Sequence, residues 1–116
     1  PILNTAAQGR LSFGLWHPQI AMKKNRFQIE EPQGSACLHP LRLDLVLVPL
    51  VAFDAQLNRL GMGGGFYDKS FSSKDSTQSK PYLLGIAYEF QRVNQVPVSP
   101  SDVRLDAVLT PKHFYR

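Results

Sequence analysis

The strongest apolar stretch in the chain runs from Leu43 to Phe53, interrupted only by Asp44 and Pro49. A continuous run of this length, rich in β-branched residues, predicts a strand buried on both faces of a parallel sheet. Pro49 should mark that strand's end, since it cannot donate to the ladder. Tyr82–Tyr88 predicts a second buried strand, and Leu105–Thr110 a third, closed by Pro111. Residues 11–16 alternate apolar with small or polar side chains, the period of a half-exposed strand, and His17-Pro18 ends it. Lys23–Pro32 is too polar for a core and is expected to be extended, whereas Gln33–Pro40 reads as loop. Phe66–Phe71 has the character of a short helix, followed by a polar loop from Ser72 to Lys80. Strands interleaved with short helical stretches indicate an α/β sheet.

Ten residues carry the candidate chemistry: Arg59-Leu60-Gly61-Met62-Gly63-Gly64-Gly65-Phe66-Tyr67-Asp68. Glycine has no Cβ, so the backbone can take positive φ and approach a ligand closely. Successive N–H groups in such a loop can converge on an anion, helped by a following helix. Arg59 supplies an anion clamp and Asp68 a candidate metal ligand. The spacing matches neither G-x-x-x-x-G-K-[ST] nor G-x-G-x-x-G, because Phe66 stands where the last glycine of the second pattern falls. By its glycines alone the segment reads equally as a turn joining two elements; Arg59, Tyr67 and Asp68 favour a ligand loop. In open α/β sheets ligands sit beyond the carboxyl ends of the strands, where this loop should lie. Asp106 falls inside an apolar strand pattern, where a carboxylate is costly without a partner. It is readable either as a functional carboxylate or as a residue bordering a strand.

Composition narrows the partners. The 116 residues form one domain at most, with 43% apolar and 19% charged residues, which argues against disorder. The net charge of +4 suits an anionic ligand such as a nucleotide or a polyglutamylated cofactor. No basic run exceeds Lys23-Lys24, so nucleic acid is not expected as a partner. Cys37 is the only cysteine, which excludes intrachain disulfides and fits a reducing, cytoplasmic setting. No apolar run is long enough for a membrane span, and no leader sequence is visible before Asn4. The chain opens without Met on a strand-like step, as if cut from something longer. His17, His39 and His113 lack metal-ligand spacing and are expected at the surface, Trp16 is expected in the core, and Cys37 has no neighbouring base to activate it.

Pro49-Leu50-Val51-Ala52-Phe53-Asp54, followed by Arg59 to Lys69, closely resembles the 5-formyltetrahydrofolate cyclo-ligase family, also called methenyltetrahydrofolate synthetases. That family carries V-P-x-x-A-F-D and then R-L-G-x-G-x-G-[YF]-Y-D-[RK]. Ile29-Glu30-Glu31-Pro32 resembles its I-x-E-P step, and Asp106-Ala107-Val108-Leu109-Thr110-Pro111 its D-x-V-[LV]-T-P ending. The resemblance covers essentially the whole chain, but only the later part of a family member.

It implies a three-layer α/β/α domain with a mostly parallel sheet over residues 1–116, in a monomer or weak homo-oligomer. It also implies an ATP- and Mg²⁺-dependent ring closure. ATP phosphorylates the formyl oxygen of 5-formyltetrahydrofolate, a neighbouring nitrogen attacks, and loss of phosphate leaves 5,10-methenyltetrahydrofolate. By resemblance Arg59, Leu60, Gly61, Met62, Gly63, Gly64, Gly65, Phe66 and Tyr67 would bind the nucleotide, with Arg59 catalytic. Met62 to Phe66 would border the folate substrate, and Asp68 and Asp106 would hold Mg²⁺.

Three departures qualify this. Leu57 stands where the family has a turn glycine, so the turn is expected to use Asn58 at positive φ. Phe66 replaces the commoner Tyr. The family's N-terminal helix, whose Lys and Arg contact ATP, and its folate-contacting Glu lie before the portion matched here. Glu30 and Glu31 do not take that role. The 116 residues alone are therefore expected to turn over weakly or not at all, and a non-catalytic nucleotide- or folate-binding module is the alternative.

Overall fold

A computed structural model describes residues 1–4, 9–34, 36–74 and 80–116. In chain order its strands are β1 (Ile2–Asn4), β2 (Arg10–Gly14), β3 (Met22–Lys24), β4 (Glu30–Pro32), β5 (Cys37–Leu38), β6 (Leu45–Pro49), β7 (Ala52–Phe53) and β8 (Arg59–Leu60). The helix α1 (Phe66–Phe71) follows, then β9 (Tyr82–Ile86), β10 (Ala107–Leu109) and β11 (Phe114–Tyr115). The central sheet has the order β11-β10-β9-β6. Strands β6, β9 and β10 are parallel, and β11 returns antiparallel on β10. The result is an α/β fold with a mixed sheet.

The register explains where the core sits. Val46 pairs with Leu83, and Val48 with Gly85, which pairs in turn with Val108. Alternation puts these residues on one face, where Phe53, Phe71 and Leu105 pack onto them. Gly85 is needed there for space, because a Cβ would lie 2.7 Å from Leu105 Cδ1. Helix α1 joins this face through Phe71 and Tyr67. Its other side is tied to an antiparallel sheet of order β1-β2-β5, where the buried Ser70 Oγ accepts the Leu11 N–H at 2.7 Å.

Strand β6 is not buried on both faces: Leu45 and Leu47 are 52% and 58% exposed, with Ile86 and Leu109 at 43% and 41%. Parallel sheets bury both faces only where helices cover both. Among the described residues the six-residue α1 is the one α-helix, and it packs on the Val46 face. The expected third layer is not seen among them. The Leu43–Phe53 run is also not one strand, since it breaks after Pro49 and re-forms as β7. Likewise the Tyr82–Tyr88 run ends at Ile86, and the Leu105–Thr110 run is ordered as strand only over Ala107–Leu109.

The expected strand at 11–16 is β2, ending at Gly14, and Trp16 is exposed rather than in the core. The Gln33–Pro40 loop contains β5 and leads into a 3-10 turn at Pro40–Arg42. Lys23–Pro32 is extended as expected, folded into the β3–β4 hairpin. Most of the Ser72–Lys80 loop lies outside the described residues.

Candidate functional site

The glycine loop does not follow β6 directly. The β7–β8 hairpin intervenes, and its turn is organised by Asp54, which is fully buried. One carboxylate oxygen accepts the N–H groups of Gln56 at 3.0 Å and Asn58 at 3.1 Å. The other accepts Asn58 Nδ2 at 3.1 Å and the Val96 N–H at 3.0 Å. Burial pushes the carboxyl up, but these four bonds outweigh it and hold the group below its ordinary value. The residue at positive φ is Leu57, at 67°, and not Asn58. Asp54 satisfies both donors of Asn58, which leaves Leu57 to absorb the reversal.

The hairpin delivers Arg59 to the loop's entrance. Arg59 Nη2 lies 2.9 Å from Asp68 Oδ1, with the side chains 7% and 23% exposed. The same carboxylate oxygen accepts the Val103 N–H at 2.9 Å. The guanidinium also lies over the Tyr67 ring, 5.6 Å from its centroid. Burial raises the Tyr67 phenol above its ordinary value, partly offset by Arg59. Gly61 admits this arrangement, since a Cβ there would sit 3.2 Å from Arg59 Nη1.

Each remaining glycine has its own physical reason. Gly63 and Gly65 have φ of 99° and 66°, a region L side chains rarely adopt. At Gly64 a Cβ would come within 2.6 Å of the Phe66 ring. Among the described residues, no backbone amide from Gly61 to Gly65 donates to a protein carbonyl. A run of unspent donors beside a guanidinium is what an anion cradle requires. Met62 projects from the loop, 94% exposed.

Asp106 is held by a separate set of partners. It lies at the amino end of β10, where Oδ2 accepts the Leu83 N–H at 2.7 Å and pairs with Lys74 Nζ at 3.2 Å. Asp68 and Asp106 are thus held by different partners, although Val103, which binds Asp68, lies only three residues before Asp106. Among the described residues no group of three or more His, Cys, Asp or Glu side chains is placed to hold a metal.

Two features escaped the sequence reading. The tip of the β3–β4 hairpin brings Phe27 edge-on to Phe66, with ring centroids 6.1 Å apart, and Arg26 lies over Phe27 at 4.8 Å. Asn25 Oδ1 holds the tip by accepting the Phe27 and Ile29 N–H groups. Its amide donates to Glu31, which is buried and structural. An aromatic flanked by polar residues in an otherwise charged stretch was the available signal.

The second is a polar centre at the carboxyl ends of β9 and β10. The Glu89 carboxylate accepts from the Thr110 hydroxyl and from Tyr115 OH at 2.7 Å, and pairs with His113 Nδ1 at 3.1 Å. The Thr110 and Tyr115 hydrogen bonds lower the Glu89 carboxyl to about 2. Beside it a recess of 370 Å³ opens between Tyr88 and Pro111. His17, His39 and His113 are all at the surface, as expected.

Comparison with known proteins assigns the chain to a family. Residues 1–111 match the sequence profile of the 5-formyltetrahydrofolate cyclo-ligase family. The chain is 41% identical over 117 residues to the 5-formyltetrahydrofolate cyclo-ligase of Escherichia coli, covering 99% of this chain and 63% of that protein. It is 40% identical to the Haemophilus influenzae cyclo-ligase, covering 94% and 58%. Among solved structures, Aquifex aeolicus 5,10-methenyltetrahydrofolate synthetase superposes with a TM-score of 0.76 at 30% identity. That match covers 93% of this chain and 53% of the other. The chain thus spans about three fifths of the length of these curated relatives. It belongs to the 5-formyltetrahydrofolate cyclo-ligase family.

Proposed function

We propose that the whole protein converts 5-formyltetrahydrofolate to 5,10-methenyltetrahydrofolate with ATP, and that Arg59 to Tyr67 form its nucleotide-binding segment. The observation that supports this most is the row of amides at Gly61–Gly65 that, among the described residues, donate to no protein carbonyl and lie beside the Arg59 guanidinium. Preorganised donors of this kind stabilise charge on a transferring phosphoryl group. Met62 to Phe66 border the folate in this reading, and the Phe27 edge on Phe66 extends the apolar wall available to a flat ring.

Mg²⁺ fits the donor set by type, since it favours one or two carboxylates supplemented by substrate phosphates. Asp68 and Asp106 supply hard oxygens, and each is now neutralised by one cation, Arg59 and Lys74 respectively. In this reading Asp68 and Asp106 would hold the ion, which would neutralise charge on the phosphate oxygens. In the same reading the full-length fold carries the three-layer arrangement, with helices also covering Leu45 and Leu47.

The test is near-ultraviolet absorbance of the methenyl product, followed with the full-length protein, ATP, Mg²⁺ and 5-formyltetrahydrofolate. Product formation that needs ATP and collapses in Arg59→Ala supports the proposal. ATP-independent product, or full activity in Arg59→Ala, overturns it.

A further inference from the structure

A second cationic surface lies on the other side of α1. A groove of 330 Å³ runs between α1 and the β2–β5 pair, and Arg10, His39 and Lys69 line it together with Ser12 and Ser73. The volume is at the lower end for small-molecule sites. No carboxylate is among its described lining residues. Among the described residues neither Arg10 nor Lys69 forms an ion pair.

The walls of the groove are fixed. Ser70 locks β2 onto α1 through the Leu11 N–H. His39 Nδ1 accepts the Leu41 N–H at 3.2 Å, so the neutral ring carries its proton on Nε2, as a donor. Lys69 connects the groove to the glycine loop. A Cβ on Gly65 would touch its Cε at 3.7 Å, and one on Gly9 would lie 3.1 Å from its ammonium nitrogen.

We propose that this groove is a binding track for an anionic chain carrying two or more carboxylate or phosphate groups. Each donor comes from a different element: the cation Arg10 from β2, the His39 ring N–H from the segment after β5, and the cation Lys69 from α1. An exposed ion pair contributes little singly. Several anionic groups joined in one chain gain from every cation at once, because the second contact is intramolecular. The track therefore selects oligoanions over single ions. A γ-linked glutamyl chain and a pyrophosphate are two sources of the same chemistry. The assignment stands on the groove's own cations and does not depend on the activity proposed above.

Cys37 is exposed and lines the groove, so it reports occupancy without an activity assay. Its alkylation by a neutral maleimide is followed by mass spectrometry of the peptide that contains it. Tri-γ-glutamate or pyrophosphate should slow the reaction at least threefold at saturation, and acetate at equal ionic strength should not. Protection by the peptide alone assigns a carboxylate chain, and by pyrophosphate alone a phosphate chain. Arg10→Gln should weaken the protecting anion about three- to fivefold. Ser73→Asp, which sets a carboxylate in the groove at an exposed position, should weaken it at least as much while circular dichroism is unchanged. No protection by either anion at millimolar concentration, or protection unaffected in both variants, overturns the proposal.

Discussion

Arg59 and Asp68, nine residues apart in sequence, close the glycine loop with a 2.9 Å ion pair. Asp68 also accepts the Val103 N–H, so one carboxylate joins the loop, α1 and the approach to β10. The pair therefore fixes the loop's shape and, in the proposed reaction, holds the cation that meets the nucleotide.

Arg59→Lys keeps the charge but not the planar fork, nor the stacking over Tyr67. We expect ATP affinity to fall about tenfold, with thermal stability lowered by about 1–2 kcal/mol. Calorimetric titration and thermal melts separate the two effects. Unchanged ATP affinity would remove Arg59 from the nucleotide site.

Gly64→Ala places a methyl 2.6 Å from the Phe66 ring. The ring must move, and its edge contact with Phe27 moves with it, so ligand binding should drop more than stability. Gly34→Ala is the control: its φ of 71° is strained, but nothing lies within 4 Å of the added Cβ. It should cost about 1 kcal/mol and leave binding intact. Equal binding losses in both variants would show that backbone strain, and not the Phe66 wall, matters.

Asp54→Ala strands three backbone N–H donors and the Asn58 amide around a buried hole. A loss of about 3 kcal/mol is expected, or roughly 10 °C in the melting midpoint. A change under 1 kcal/mol in denaturant melts would mean that water replaces the carboxylate.

Glu89 titrates at about 2 in the folded protein, against an ordinary 4.5. A depressed folded-state value stabilises the fold above the unfolded pKa. That contribution is complete above about pH 5 and is lost as pH falls from 4.5 towards 2. Glu89→Gln should therefore flatten the stability profile in this window and lower stability at pH 7. Parallel profiles for the two proteins in acid would contradict the Thr110–Glu89–Tyr115 geometry.

The sequence by itself determined the features that depend on neighbours along the chain. Apolar runs located β6, β9 and β10, because a strand's side chains alternate over a few residues whatever surrounds them. The four glycines marked the loop, since positive φ at Gly63 and Gly65 is a local requirement. The match of Arg59–Lys69 to the cyclo-ligase pattern gave the family.

Tertiary structure decided what depends on distant partners. Which face of β6 is covered follows from where α1 packs, so a run that reads as wholly buried leaves Leu45 and Leu47 in solvent. Leu57 takes the positive φ because Asp54 holds Asn58, a choice reinforced by Val96, 42 residues away from Asp54. Asp106 pairs with Lys74 across 32 residues, and Phe27 meets Phe66 across two sheets' worth of chain. Spacing identifies a carboxylate or an aromatic ring; only packing selects its partner, because burial and charge are satisfied by whatever the fold brings near.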